Sequence, residues 1–140
     1  MGELATKPIV LVAMGGHAFM QKGEKGTIEE HERNAVEIAR LLMTLVDKEY
    51  QLVITHGNGP QVGALLLQQE CCDAVPRLPL EILVAQTQGQ IGYMIESTLD
   101  SELMKIGVNA QPLVTLISYV VVDENDPAFQ NPSKPIGPVY

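Results

Sequence analysis

The sequence predicts an α/β fold built on a parallel sheet. Three observations carry that reading. Apolar runs of strand length alternate with stretches of helical period, two of those runs close on glycine-bearing turns, and the order along the chain is β-α-β-α-α-β. The first run, Ile9-Val10-Leu11-Val12-Ala13, has no polar alternation and ends in Gly15-Gly16, as a strand buried on both faces would. Thr27 could cap a helix, with Glu30, three residues on, completing a capping box. From there Ala35, Ile38, Ala39, Leu42 and Leu45-Val46 recur at helical spacing, which predicts a helix over Ile28 to Val46.

Gln51-Leu52-Val53-Ile54-Thr55 is the second strand. It runs into His56-Gly57-Asn58-Gly59-Pro60, where proline suits the first turn of a helix continuing over Gln61 to Gln69. Residues Cys71 to Pro79 form a turn region. A long helix is expected over Leu80 to Met104, ending at Gly107. Its internal Gly89 and Gly92 disfavour helix by about 1 kcal/mol each, so close packing against a neighbour is their expected role. The β-branched run Leu113 to Val122 reads as a third strand. Right-handed crossovers would then cover the sheet on both faces. Four of nine prolines fall at Pro127, Pro132, Pro135 and Pro138, so the tail after Asp123 is neither helix nor central strand. Its Phe129, Ile136, Val139 and Tyr140 suggest an ordered excursion. Three strands are few for such a sheet, and the chain reads as part of a longer polypeptide or of a sheet completed by another chain.

Length and charge set the limits. At 140 residues the chain is one domain. Seventeen acidic residues against nine basic ones give −8, which argues against nucleic acid or an anionic membrane as a partner. No apolar stretch has the length of a membrane helix, and the N-terminus lacks a signal-peptide pattern, so a cytoplasmic location is expected. Cys71 and Cys72 are adjacent, a poor geometry for a mutual disulfide; two reduced thiols or a redox pair are the readings. His17, His31 and His56 are scattered and no metal-ligand spacing occurs.

In open α/β sheets, ligands sit outside the carboxyl ends of the strands. Gly15-Gly16-His17-Ala18 and His56-Gly57-Asn58-Gly59-Pro60 both lie there. Glycine lets backbone approach a ligand closely, and a helix start offers free N–H groups and positive dipole. Two such turns facing one crevice could hold a small oxyanion or a phosphoryl group; alternatively each makes only a tight turn. Neither matches the dinucleotide or P-loop fingerprint. Lys134, between prolines in Asn131-Pro132-Ser133-Lys134-Pro135-Ile136-Gly137-Pro138, is either pre-organised for an anion or a solvated surface lysine. His17 could donate to an anion or simply fill its turn, and Asp123 suits a turn or cap.

Several segments are specific enough to carry a resemblance: His56-Gly57-Asn58-Gly59-Pro60-Gln61-Val62-Gly63, then Gln88-Gly89-Gln90-Ile91-Gly92-Tyr93, then Val120-Val121-Val122-Asp123 with Asp126-Pro127-Ala128-Phe129-Gln130-Asn131-Pro132-Ser133-Lys134-Pro135-Ile136-Gly137-Pro138. In this order they resemble the N-terminal half of the carbamate kinases, within the amino acid kinase family, from about Ile9 to Tyr140. The resemblance implies a three-layer α/β/α sandwich with a mainly parallel sheet, incomplete in this chain. Residues 1–122 would be the substrate-binding lobe and 123–140 the start of a protruding lid, with the nucleotide-binding lobe beyond Tyr140.

The resemblance further implies reversible phosphoryl transfer between ATP and carbamate, giving ADP and carbamoyl phosphate, with Mg²⁺, in a homodimer. Gly15, Gly16 and Lys134 would serve the transfer, and His17, Gly57, Asn58 and Gly59 would bind the carbamate or carbamoyl phosphate. Cofactor contacts would lie outside the chain, and no protein metal ligand is expected. The competing expectation is a non-catalytic module that binds a small oxyanion or serves only in dimerisation. A related kinase acting on a carboxylate is a weaker third, since Asn131 to Pro138 is characteristic of the carbamate branch. Two positions depart from the pattern: His17 stands where the family typically has asparagine, and Tyr119 where a smaller polar residue is usual.

Overall fold

The computed structural model describes residues 7–109 and 112–133. Strand β1 (Ile9–Met14) and strand β2 (Gln51–His56) pair in parallel, in register from Ile9 opposite Gln51 to Met14 opposite His56. The crossover between them is helix α1 (Ile28–Val46), with the expected boundaries. Its capping box is complete. Thr27 Oγ1 accepts from Glu30 N at 3.4 Å, and Glu30 Oε2 accepts from Thr27 N at 3.0 Å and from Gly26 N at 2.7 Å. Helix α2 (Gly59–Glu70) follows β2 directly and carries Pro60 in its first turn. Helix α3 (Leu80–Lys105) ends where Gly107 takes φ +82°. There Val108 N bonds Leu103 O and Gly107 N bonds Met104 O, both at 3.0 Å, so two terminal carbonyls of the helix find donors.

The core lies between the strands and two helices. Ala39, Leu42 and Met43 of α1 meet Leu99 and Leu103 of α3, with Val12, Leu52 and Ile54 packed against them from the sheet. A second cluster joins Phe19, Ala35, Ile91 and Met94. The alternation along each strand decides which face this is. Val12, Met14, Leu52 and Ile54 turn inward, while Ile9, Leu11 and Val53 remain exposed. Among the described residues the helices α1 and α3 cover one face of the sheet, where both faces were expected to be covered.

The third expected strand also differs. Among the described residues the sheet has two strands, and residues 112–122 make no ladder with either. The segment is instead docked on α3. Gln88 Nε2 donates to Ser118 O at 2.9 Å and Gln88 Oε1 accepts from Ser118 N at 2.8 Å. Thr115 hydrogen-bonds Glu96 and lies over Gly92, where a Cβ would come within 2.3 Å of Thr115 Cγ2. Gly92 thus has the close-packing role expected of it. A strand exists only through a partner's backbone, and here a glutamine amide supplies the pairing.

The loop between β1 and α1 is held from α1. Buried Asn34 donates through Nδ2 to Phe19 O at 3.2 Å and to Glu24 Oε2 at 2.7 Å. Glu24 also accepts from Gln21 N at 2.7 Å and pairs with Arg33 at 2.5 Å. These bonds, the Gln21 amide first, hold the Glu24 carboxyl below its ordinary pKa of 4.5. Among the described residues no helix is long and apolar enough to cross a membrane.

Candidate functional site: two glycine corners in backbone contact

Parallel pairing brings the carboxyl ends of β1 and β2 level, so the turns that follow them start side by side. Gly57 N donates to Met14 O at 2.9 Å, one rung beyond the last strand pair. Gly15 keeps an extended backbone (φ −72°, ψ 158°), and a short 3₁₀ turn then runs over Gly16–Ala18, closed by Ala18 N on Gly15 O at 2.9 Å. On the other side Asn58 caps α2.

The two corners touch through main chain. A Cβ on Gly16, which is buried, would sit 2.9 Å from Pro60 Cδ, 3.2 Å from Gly59 N and 3.3 Å from Asn58 N. A Cβ on Gly57 would sit 3.0 Å from Gly16 N. These two glycines are required by the contact itself. Gly15 and Gly59 differ: a Cβ on either meets nothing within 4 Å, and neither has a positive φ. Among the described residues nothing demands glycine at either position. Gly15 is exposed and Gly59 partly so.

Side chains behind the corners fix them. Asn58 Nδ2 donates to Thr87 Oγ1 at 2.9 Å and to Val84 O at 3.2 Å, both on α3. Thr87 is fully buried and itself bonds Leu83 O and Val84 O at 3.0 Å. Gln61 Nε2 reaches Gly16 O at 3.4 Å, a second tie between α2 and the first corner. The Asn58 amide nitrogen is therefore committed to α3, which leaves its side-chain oxygen and backbone N–H on the corner. Thr87 and Gln61 were not singled out as functional from the sequence. Gln61 stands inside the His56 to Gly63 segment, but nothing local marks Thr87, whose partner lies 29 residues away.

Chemically, the start of α2 presents N–H groups that helix bonding leaves free, with the positive end of the helix dipole behind them. The 3₁₀ turn at Gly16 adds another helical start. Such an arrangement suits a small anion against the overall −8 charge. His17 is exposed at the same corner. Gly15, Gly16, His17, Gly57, Asn58 and Gly59 thus converge at one end of the sheet. Lys134 lies outside the described residues. Asp123 accepts from Asn125 N at 2.9 Å, a turn bond. Cys71 and Cys72 are unpaired and exposed. Among the described residues no cluster of three His, Cys, Asp or Glu is placed to hold a metal.

Comparison with known proteins decides the relationship. No protein-family model matches the chain. It is 50% identical over 135 residues to a carbamate kinase of Thermococcus kodakarensis, covering 94% of this chain and 42% of that protein. A carbamate kinase of Haemophilus influenzae is 48% identical over 131 residues, with 94% and 41% covered. The chain is a homologue of the carbamate kinases. Its fold agrees: the structure of the Giardia carbamate kinase superposes with a TM-score of 0.90 at 34% identity, over 97% of this chain and 46% of that one. A Giardia lamblia carbamate kinase bound to AMP-PNP gives 0.85 at 35% identity, over 97% and 43%. The homologue is thus an α/β fold with a parallel sheet, spanning less than half the length of the relatives it matches.

Proposed function

We propose that this chain is the substrate-binding portion of a carbamate kinase, an enzyme of reversible phosphoryl transfer between ATP and carbamate that gives ADP and carbamoyl phosphate. The observation that carries the proposal is the backbone contact between the Gly16 and Gly57 corners, with Gly15 and Gly59 open beside it. Phosphoryl transfer asks mainly for positioning and for neutralisation of spread negative charge. Main-chain N–H groups that need no reorganisation meet both demands.

In this reading Gly15 and Gly16 line the phosphoryl group in transfer. Gly57, Asn58 and Gly59 hold the carbamate end, His17 borders it, and Lys134 closes over the site from the lid that begins at Asp123. The exposed His17, where the family typically has asparagine, adds an imidazole to the rim of the first corner. ATP or ADP would be held chiefly by residues outside this chain. Mg²⁺ would accompany the nucleotide phosphates. A homodimer, a cytoplasmic location and a place in arginine breakdown belong to the same proposal.

The test is a titration of the ¹⁵N-labelled chain with carbamoyl phosphate and with inorganic phosphate, followed by amide NMR. The Gly15, Gly16 and Gly59 amides should shift first and together. Shifts scattered over unrelated surfaces, or none, would overturn the assignment. In a coupled assay for ATP formation from carbamoyl phosphate, the 140-residue chain alone should be inactive, while a full-length enzyme carrying it should turn over.

A further inference from the structure

We propose that Thr87 is a positioning residue that holds the Asn58 amide so that this side chain offers a ligand only its oxygen. That oxygen is an acceptor, and it selects the amino group of carbamate or carbamoyl phosphate over a methyl group in the same place. This rests on the reading of Asn58 as part of the carbamate end, and it gives the side chain one role there while excluding another.

Asparagine ahead of the first turn of a helix ordinarily turns its side-chain oxygen onto a backbone N–H two or three residues on. Asn58 holds that position on α2 and makes no such bond, and Pro60, two residues on, has no N–H to give. The amide is turned to α3 instead, where Nδ2 donates to Thr87 Oγ1 at 2.9 Å and to Val84 O at 3.2 Å. The chemistry of these partners decides which amide atom belongs there. Val84 O is a carbonyl and can only accept. Thr87 has one hydroxyl proton, and with Oγ1 3.0 Å from both Leu83 O and Val84 O that proton goes to the helix main chain. Toward Asn58 the hydroxyl is therefore an acceptor as well. A reversed amide would set its oxygen against two acceptors beside Thr87, which is 0% exposed and has no solvent to make up the lost bonds.

Both Nδ2 protons are thus spent on α3. Among the described residues Asn58 Oδ1 accepts no hydrogen bond, and it is not one of the buried atoms left without a partner, so it meets solvent. An anionic oxygen of the ligand would be repelled by Oδ1, whereas an N–H would donate to it. Carbamoyl phosphate and acetyl phosphate share their charge and nearly their shape, and differ by NH₂ against CH₃. The first gives Oδ1 a hydrogen bond, while the second displaces its water and returns nothing.

The test titrates the ¹⁵N-labelled chain with inorganic phosphate, carbamoyl phosphate and acetyl phosphate. The unsubstituted chain should bind carbamoyl phosphate about tenfold more tightly than acetyl phosphate. Thr87→Val keeps the shape and removes the hydroxyl. It should cut that preference to about twofold or less, and change the affinity for inorganic phosphate by no more than about twofold. Thr87→Ser, which keeps the hydroxyl, should retain the preference. A structural role alone would weaken all three ligands together. In the unsubstituted chain, nuclear Overhauser contacts between the Asn58 Nδ2 protons and the Thr87 methyl group should persist at saturation with carbamoyl phosphate, a readout that needs no variant to fold. Equal binding of the two acyl phosphates while phosphate still shifts the corner amides, a preference that survives Thr87→Val, or loss of the Asn58 to Thr87 contact on binding would overturn the proposal and leave the carbamate kinase reading standing. Absence of any phosphate shift at Gly15 and Gly59 would overturn that reading, and this proposal with it.

Discussion

Four glycines at one end of the sheet divide by what surrounds them. At Gly16 and Gly57 a methyl group would crowd its neighbours, and the atoms in the way are mostly backbone. Gly16→Ala or Gly57→Ala should therefore destabilise by about 1–3 kcal/mol, read by denaturant unfolding. Gly15 and Gly59 have the room. Gly15→Ala should leave stability unchanged or raise it by about 0.4–1 kcal/mol, yet weaken phosphate binding in the NMR titration. Loss of stability in Gly15→Ala with binding intact would mean that the glycine serves only the turn. Glu24 offers a second test at this scale. Its carboxyl is held below the ordinary value, so the folded state prefers it ionised. Its contribution is complete above about pH 4.5, the unfolded value, and is lost as pH falls through the lower folded value. Glu24→Gln should flatten the acid limb of a stability-against-pH curve below pH 4.5 and leave the neutral region parallel to wild type. The sequence displayed these residues unequally. Glycines after an apolar run can be read as a ligand corner because position relative to a strand end is local information. Asn34, Thr87 and Gln61 could not, since each acts on an atom that only the fold brings near.

Elements with strong local chemistry were legible to the residue. The boundaries of α1 follow from Thr27 and Glu30 at one end and the apolar period at the other. Thr27→Ala should cost about 1 kcal/mol in stability, because it strips one half of the capping box; chemical denaturation measures it. The β-branched content of Leu113 to Val122 predicts a strand. That content is real, and Leu113 and Thr115 are half-buried between exposed neighbours as in a strand. What composition could not supply is the partner, since ladder bonds come from another stretch of chain. Gly92 gives this scale its test. A Cβ there would fall within 2.9 Å of three Thr115 side-chain atoms. Alanine favours the helix, so α3 should persist in Gly92→Ala while the segment lifts away. Faster hydrogen exchange at Ser118 N and new protease cuts within 112–122, with helical circular dichroism unchanged, would be the signature. An unaltered exchange rate would show that the glycine is not what seats the segment.

At the scale of the whole molecule, the described residues leave large apolar side chains exposed on one sheet face and along the 114–122 run, Leu11, Val53, Leu116, Tyr119 and Val121 among them. Surfaces of this kind mark contact with other protein. The 140-residue chain in isolation should bind a hydrophobic dye and associate with rising concentration in sedimentation, despite its −8 charge. A monodisperse monomer that binds no dye would contradict this. The same surface explains why the sequence predicted a sheet covered on both faces. Ile9, Leu11 and Val53 have the character of buried strand residues, and the described helices reach only their opposite side.

The rung from Gly57 N to Met14 O also acts at the largest scale. The two corners are registered to each other by a main-chain link of 2.9 Å, beside the Gln61 side-chain tie to Gly16 O. Their spacing is a lattice constant of the sheet. Warming should leave it nearly fixed until the strands part, and then erase it in one step, so affinity for the ligand should track the melting of β1 from β2 and have no gradual decline of its own.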